Sequence, residues 1–256
     1  PPRRASRGRP ADRCLPEEEV WLDGSRDIRL HAWFVPVRGA APAVVVLHGW
    51  GGSAADLLPL AGPLHDAGFH VLLLDARNHG LSEDDDFASL PRFADDLATA
   101  VASLRTREEV LSVGAVGHSV GAAAAILAAA TGTPIDAVVA VSSFAHPGEL
   151  MDANLHVPAP LRRLLLWSIE RMIGYRYDEI APRNRIAEVR VPVLLVHGDA
   201  DEVVPVADSR ELTRRLPRAR LIEVPGGTHA DLEPYLPFFP EVVGFLSAHL
   251  PTGVGG

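Results

Sequence analysis

The chain contains no lysine; all 24 of its basic residues are arginine. That absence excludes a Schiff-base lysine and the lysine of a phosphate-cradling loop, and two large classes of enzyme with them. Cysteine is nearly absent too. The single Cys14 sits in a polar N-terminal stretch, so no internal disulfide forms and the redox compartment is not indicated. Positive charge is the scarcer sign, 24 arginines against 33 acidic residues for a formal net charge of −9. Such a balance gives no overall attraction for a phosphate backbone or an anionic surface, and no nucleic-acid partner is expected. Long apolar runs are missing as well. The richest segment, Leu111 to Ala130, is interrupted by His118, Ser119 and several glycines, so no stable membrane insertion is expected and the chain reads as soluble. Residues 1–13 carry Arg3, Arg4, Arg7, Arg9 and Arg13 with no apolar stretch behind them. Residues 1–17 read as a disordered or extended tail, with a removed signal or anchor as the other reading. The compartment stays open, cytoplasmic by default, and the sequence does not give an oligomeric state.

What is present is a chain of 256 residues, 47% of them apolar, enough for one large core. The expected domain spans 18–250, with a C-terminal tail at 251–256. From Val20 onward, short apolar runs alternate with helical patterns, the signature of βαβ units feeding a mostly parallel sheet. Glu18 to Leu22 and Ile28 to Val35 read as an edge hairpin around Asp23-Gly24. Ala43 to Leu47, Val71 to Leu74, Ser112 to Val116, Ala137 to Val141, Val193 to Val196 and Leu221 to Val224 read as buried strands. Helices are expected at about 54–67 and 91–107, from Ala122 to Ala130, after Pro205, and from about Tyr235 to His249. The stretch at about 144–188 is too long for a simple crossover. Within it Leu161, Leu164, Leu165, Ser168, Ile169, Met172 and Ile173 fall at helical spacing, which predicts a small helical cap. An ordinary crossover helix packed on the sheet is the plainer alternative.

Gly117-His118-Ser119-Val120-Gly121 follows a predicted strand and opens a helix, the context in which a glycine-flanked serine becomes an exposed nucleophile rather than a simple turn. Small residues are required at both glycines because the helix folds back against the strand. A serine hydroxyl is a weak nucleophile, so it needs a base, and the base needs a carboxylate to fix its tautomer. Downstream, Asp199 and Asp201 share a loop past one buried strand, and His229 lies in Gly226-Gly227-Thr228-His229 past the next. His48-Gly49-Trp50-Gly51-Gly52 follows an earlier strand and supplies backbone N–H groups for an oxyanion hole. The expected pair is the N–H of Trp50 and that of Val120, with Gly51 the near alternative to Trp50.

These motifs, together with Asp75-Ala76-Arg77-Asn78-His79-Gly80-Leu81-Ser82 and the Gly198 to Pro205 segment, resemble the α/β-hydrolase superfamily over nearly the whole chain after residue 20. The resemblance is to small microbial carboxylesterases and lipase-like esterases in particular. It implies an α/β fold with a mostly parallel sheet of about eight strands, flanked by helices and carrying a small cap. It implies a catalytic triad of Ser119, Asp201 and His229, with Asp201 preferred to Asp199 because the carboxylate stands four residues before Pro205. It implies no cofactor. The Asp75 to Ser82 turn departs from the family in having Asn78-His79 where a second glycine is common, and Asn78 is the candidate for the left-handed conformation there.

The expected activity is cleavage of a small-molecule carboxylic ester through an acyl-enzyme, on short to medium acyl chains. Trp50, His118, Leu166 and Trp167 are the candidate pocket residues, His118 with its side chain turned away from the nucleophile. An amide or peptide hydrolase would need a polar group for the amine, for which Asp152 or Glu149 is available. A thioesterase would use the same triad, and a non-catalytic binding protein the same fold. The histidines lack close metal-ligand spacing, so no metal site is expected, and His48 and His197 read as loop-shaping. Asp84, Asp85 and Asp86 read as a solvated acidic run rather than a cation site.

Overall fold

Residues 8–251 are described by the structure, a computed structural model. The strands are β1 Glu18–Asp23, β2 Arg29–Val35, β3 Ala41–Leu47, β4 His70–Leu74, β5 Val110–His118, β6 Ala137–Val141, β7 Val193–Gly198 and β8 Arg220–Val224. They form one eight-stranded sheet in the order β1-β2-β4-β3-β5-β6-β7-β8. The edge hairpin pairs Leu22 with Leu30, β2 also runs antiparallel to β4, and every other pairing is parallel. This is the α/β-hydrolase architecture expected from the sequence.

The helices are α1 Leu58–Asp66, α2 Leu90–Arg105, α3 Val120–Ala130, α4 Pro147–Asn154, α5 Ala159–Ile173, α6 Tyr177–Ile180, α7 Pro182–Arg185, α8 Val206–Arg215 and α9 Phe239–His249. Strand periodicity divides the core into two layers. Ala43, Val45 and Leu47 of β3 face the layer that contains α2 and α3, whereas Val44 and Val46 face the layer of α1 and α9. Burial on both faces explains why these strands read as unbroken apolar runs. Because β4 lies on one side of β3 and β5 on the other, the loops leaving β3 and β5 diverge at the carboxyl edge of the sheet and open a crevice there.

Prolines shift two expected helices. Residues 54–57 form a 3-10 turn and α1 starts only at Leu58, with Pro59 in its first turn. The C-terminal helix starts at Phe239 rather than Tyr235, because Pro240 lacks the N–H that a continuous helix from 235 would need at that position. The expected tail is also corrected where it is described: Pro10–Arg13 forms a 3-10 turn with Pro10 buried, and Arg9 lies over the Trp33 ring. Residues 1–7 and 252–256 lie outside the described part.

Between β6 and β7 the chain does two things. α4 and α5 lie at the surface, with Leu150, Met151, Leu166, Ile169 and Ile173 packed partly on the core and no side chain of α5 fully buried. Farther on, Tyr177, Ile180, Ile186 and Val189 return to the core beside α3 and α8, as an ordinary crossover would.

Candidate active site

Ser119 sits between β5 and α3 with φ 54° and ψ −117°, a backbone conformation that costs a non-glycine residue on the order of 1–3 kcal/mol. The strain is held by close packing. A Cβ on Gly117 would fall on the Gly121 carbonyl, and one on Gly121 would fall on the carbonyls of Leu47 and His48. Ala122 to Ala125 are wholly buried, so α3 lies tight against the sheet. The Ser119 N–H donates to the Val141 carbonyl at 2.9 Å, which fixes the turn to β6.

The three residues proposed from sequence converge. His229 Nε2 lies 3.0 Å from Ser119 Oγ, and its Nδ1 lies 2.8 Å from Asp201 Oδ2. The tautomer follows from the partners: Nδ1–H donates to the carboxylate and Nε2 accepts from the serine. Asp201 is wholly buried at its side chain, and its Oδ1 accepts the N–H groups of Val203 and Val204 at 2.9 and 2.8 Å. Burial pushes its carboxyl up, but hydrogen bonds from His197 and His229 and from the Val204 N–H outweigh burial and hold it below the usual carboxylate range. Asp199 does not reach His229; it accepts the Gly226 N–H at 2.7 Å and braces the start of the base loop.

Tyr235 and Ser142, beside the base, were not singled out by sequence reasoning. Buried Tyr235 accepts the Gly198 N–H and donates to the Thr228 carbonyl, both at 3.0 Å, so one phenol joins the acid loop to the base loop. Ser142 Oγ lies 3.1 Å from the same hydroxyl. The His118 side chain lies against His229, ring centroids 5.0 Å apart, and its Nε2–H donates to the His229 carbonyl at 2.8 Å. Burial, with the nearby His229, pushes its pKa down to about 4, so it stays neutral. It also borders a small apolar pocket with Leu57, Leu60, Val141 and Leu232.

The glycine loop after β3 is held by a reciprocal pair of histidines. His48 Nδ1–H donates to the Gly49 carbonyl at 2.7 Å and its Nε2 accepts the Ala76 N–H at 3.1 Å. In return, His79 Nδ1–H donates to the Arg77 carbonyl at 2.8 Å and its Nε2 accepts the Gly51 N–H at 3.0 Å. The Gly51 N–H is therefore occupied. The N–H groups of Trp50 and Val120 have no hydrogen-bond partner among the described residues, the latter as the first residue of α3. Burial lowers the pKa of both histidines, His79 to about 4, which keeps their acceptor nitrogens unprotonated.

The turn that supplies His79 is anchored deep in the fold. Asn78 takes φ 62°, and the fully buried Arg77 bridges Asp96, Asp85 and Ser25 at 2.6, 2.8 and 2.8 Å. Asp85 is thus no solvated residue; its carboxylate, 6% exposed, meets Arg26, Arg77 and Arg92. The spacing could not show this, because its partners come from three separate segments.

The candidate pocket residues divide. Trp50 is half exposed and rests against His79 and Phe93. Leu166 packs partly on the core, and Trp167 is half exposed with the Arg171 guanidinium over its ring at 5.6 Å. The ring contacts of Trp167 are with its own helix, not with Ser119 or His229.

Comparison with known proteins agrees with this fold. The model of the family described as serine aminopeptidase, S33, matches residues 39–179 and 179–233. Rv2307c of Mycobacterium tuberculosis is 33% identical over 221 residues, covering 84% of this chain and 73% of that protein. YfhR of Escherichia coli is 30% identical over 227 residues, with 84% and 74% covered. Among solved structures, the esterase Pf2001 of Pyrococcus furiosus superposes with a TM-score of 0.80 at 23% identity, over 97% of this chain and 98% of that one. Est1E of Butyrivibrio proteoclasticus, solved with ferulic acid bound, gives 0.72 at 20% identity over 90% and 98%. These two support the fold. The extent of the family match shows that the chain belongs to the S33 family of α/β-hydrolases.

Proposed function

We propose that the protein hydrolyses carboxylic esters through an acyl-enzyme on Ser119. The observation that carries the reading is the pair of hydrogen bonds from Ser119 Oγ to His229 Nε2 and from His229 Nδ1 to Asp201, built on a strained turn at a helix N-terminus. His229 takes the serine proton as Oγ attacks the ester carbonyl, then returns it to the departing alcohol; Asp201 stabilises the imidazolium formed between. The free N–H groups of Trp50 and Val120 receive the developing oxyanion, a donor of this kind being worth about 3 kcal/mol. Water then repeats the sequence on the acyl-enzyme and releases the acid.

The family description includes aminopeptidases, which gives an amide reading its weight. The two carboxylates available to hold an amine are committed elsewhere: Glu149 pairs with Arg183 and Asp152 with Arg162. That favours the ester. The test is turnover of a p-nitrophenyl ester series from acetate to palmitate beside aminoacyl p-nitroanilides and acyl thioesters. Ester turnover far above anilide turnover is expected; preference for an anilide with a free amine, or for a thioester, would replace the reading.

A further inference from the structure

We infer that His197 is a positioning residue for the triad, a second histidine on the Asp201 carboxylate that fixes its direction and tempers its pull on His229. The inference rests on reading Ser119, His229 and Asp201 as a working triad; it does not depend on the substrate being an ester. His197 is the penultimate residue of β7, and its side chain and that of Asp201 are both wholly buried. Its Nε2 lies 2.9 Å from the Val204 carbonyl and 3.4 Å from Asp201 Oδ2, the same oxygen that receives His229 Nδ1–H at 2.8 Å. A carbonyl only accepts, so Nε2 carries a proton and leans it mainly towards Val204 with the carboxylate beside it. Behind the ring, Nδ1 meets the hydroxyl of fully buried Ser209 on α8 at 2.6 Å. The chain of polar contacts thus runs Ser119, His229, Asp201, His197, Ser209.

Packing alone does not call for an imidazole here. The preceding residues of β7, from Val193 to Val196, are apolar and buried, and a buried polar ring costs stability unless it is partnered. What the ring touches accounts for it, and it reaches Asp201 by two routes. One is the contact with Oδ2. The other runs through Val204, whose carbonyl His197 holds and whose N–H donates to Asp201 Oδ1 at 2.8 Å. The ring therefore closes the acid loop around the carboxylate and braces both of its oxygens. Burial pushes the Asp201 carboxyl up, and His197, with His229 and the Val204 N–H, more than offsets that push.

The consequence has a sign. A donor beside Oδ2 draws off part of the negative charge that would otherwise act on His229. With the donor gone, the carboxylate stabilises the His229 imidazolium more strongly, and the base is captured by a proton at higher pH. The other ionisable groups around this pair have partners of their own. His118, on the nucleophile turn, bonds the His229 carbonyl, and Asp208 of α8 accepts the Ala145 N–H. Glu223 of β8, opposite His197 in the sheet, pairs with Arg210, and Tyr235 joins Gly198 to Thr228.

The experiment follows the rate of Ser119 labelling by a fluorophosphonate, and the turnover of p-nitrophenyl acetate, against pH. His197→Phe keeps a ring and deletes both nitrogens; His197→Asn keeps a partner for Ser209 but falls short of Val204 and Asp201. Each should label and turn over about tenfold more slowly or worse, with the acid limb of the labelling profile moved up by roughly half a pH unit. His197→Gln, whose Nε2–H extends to the Val204 carbonyl, should restore most of both. In an Asp201→Asn background His197→Asn should cost less than about threefold more, because its route runs through the carboxylate. Wild-type rates in the asparagine and phenylalanine variants, a slower rate without movement of the acid limb, or the same loss repeated on Asp201→Asn would each overturn the inference. A wild type that takes the label but prefers an anilide replaces the ester reading and leaves the role of His197 standing; a wild type that takes no label overturns both.

Discussion

Replacing His79 by phenylalanine keeps a flat ring against Trp50 and Phe93, whose centroids lie 5.6 and 5.2 Å from that of His79, while deleting both ring nitrogens. The Gly51 N–H then loses its acceptor at 3.0 Å. A buried donor left unpaired costs about 1–3 kcal/mol, and the loop can escape that cost only by moving. Movement turns the adjacent Trp50 N–H away from the oxyanion, and full loss of such a donor costs about 3 kcal/mol, or 10²–10³ in kcat. The expected result in His79→Phe is therefore a kcat lowered by roughly ten- to several-hundredfold with KM nearly unchanged, since the donor acts in the transition state more than on bound substrate. His79→Gln places Oε1 near the position of Nε2 and should recover much of the loss. Steady-state kinetics on a p-nitrophenyl ester, with melting curves for both variants, decides the matter. Wild-type kcat in His79→Phe, or an equal loss in the glutamine variant, would refute the clamp.

Three further outcomes follow from the same geometry. Tyr235→Phe removes the hydroxyl that joins Gly198 to Thr228 and should cost about 1–3 kcal/mol of stability, read by chemical denaturation, along with a drop in kcat as the acid and base loops separate. Asp201→Asn should leave the fold intact and lower kcat by about 10⁴, because an amide favours the wrong imidazole tautomer; a loss below tenfold would remove Asp201 from its role. His79 and His118, with pKa values lowered to about 4 in the folded state against 6.5 when free, take up protons first in the unfolded chain as pH falls. Stability should thus be full above about pH 6.5 and decline towards about pH 4, visible as a falling melting temperature; a flat profile over that window would contradict their neutral burial.

The strand order of residue types was legible because burial on both faces writes itself as unbroken runs such as Val44-Val45-Val46-Leu47, and the turn at Ser119 because close packing admits only glycine at 117 and 121. The positions of Asp201 and His229 were legible through loop order and family spacing. What the sequence hid was the contacts across segments beyond those three residues: Tyr235 reaching two loops, His79 reaching Gly51, and Arg77 drawing Asp85 out of an acidic run that looked solvated. None of these has a local period or spacing. Whether Trp50 or Gly51 offers a free N–H was likewise undecidable until the partner of Gly51 was seen. Helical spacing at 161–173 was legible and α5 forms there, but spacing could not show which part of its apolar face packs on the core and which stays exposed.

The central claim is that Ser119 is the nucleophile, and covalent labelling tests it most directly. Incubation with a fluorophosphonate, followed by intact-mass measurement and peptide mapping, should give one adduct per chain on the peptide holding Ser119, with ester turnover lost in step and both lost in Ser119→Ala. An adduct on another residue, or a Ser119→Ala protein that keeps its turnover, would contradict the account.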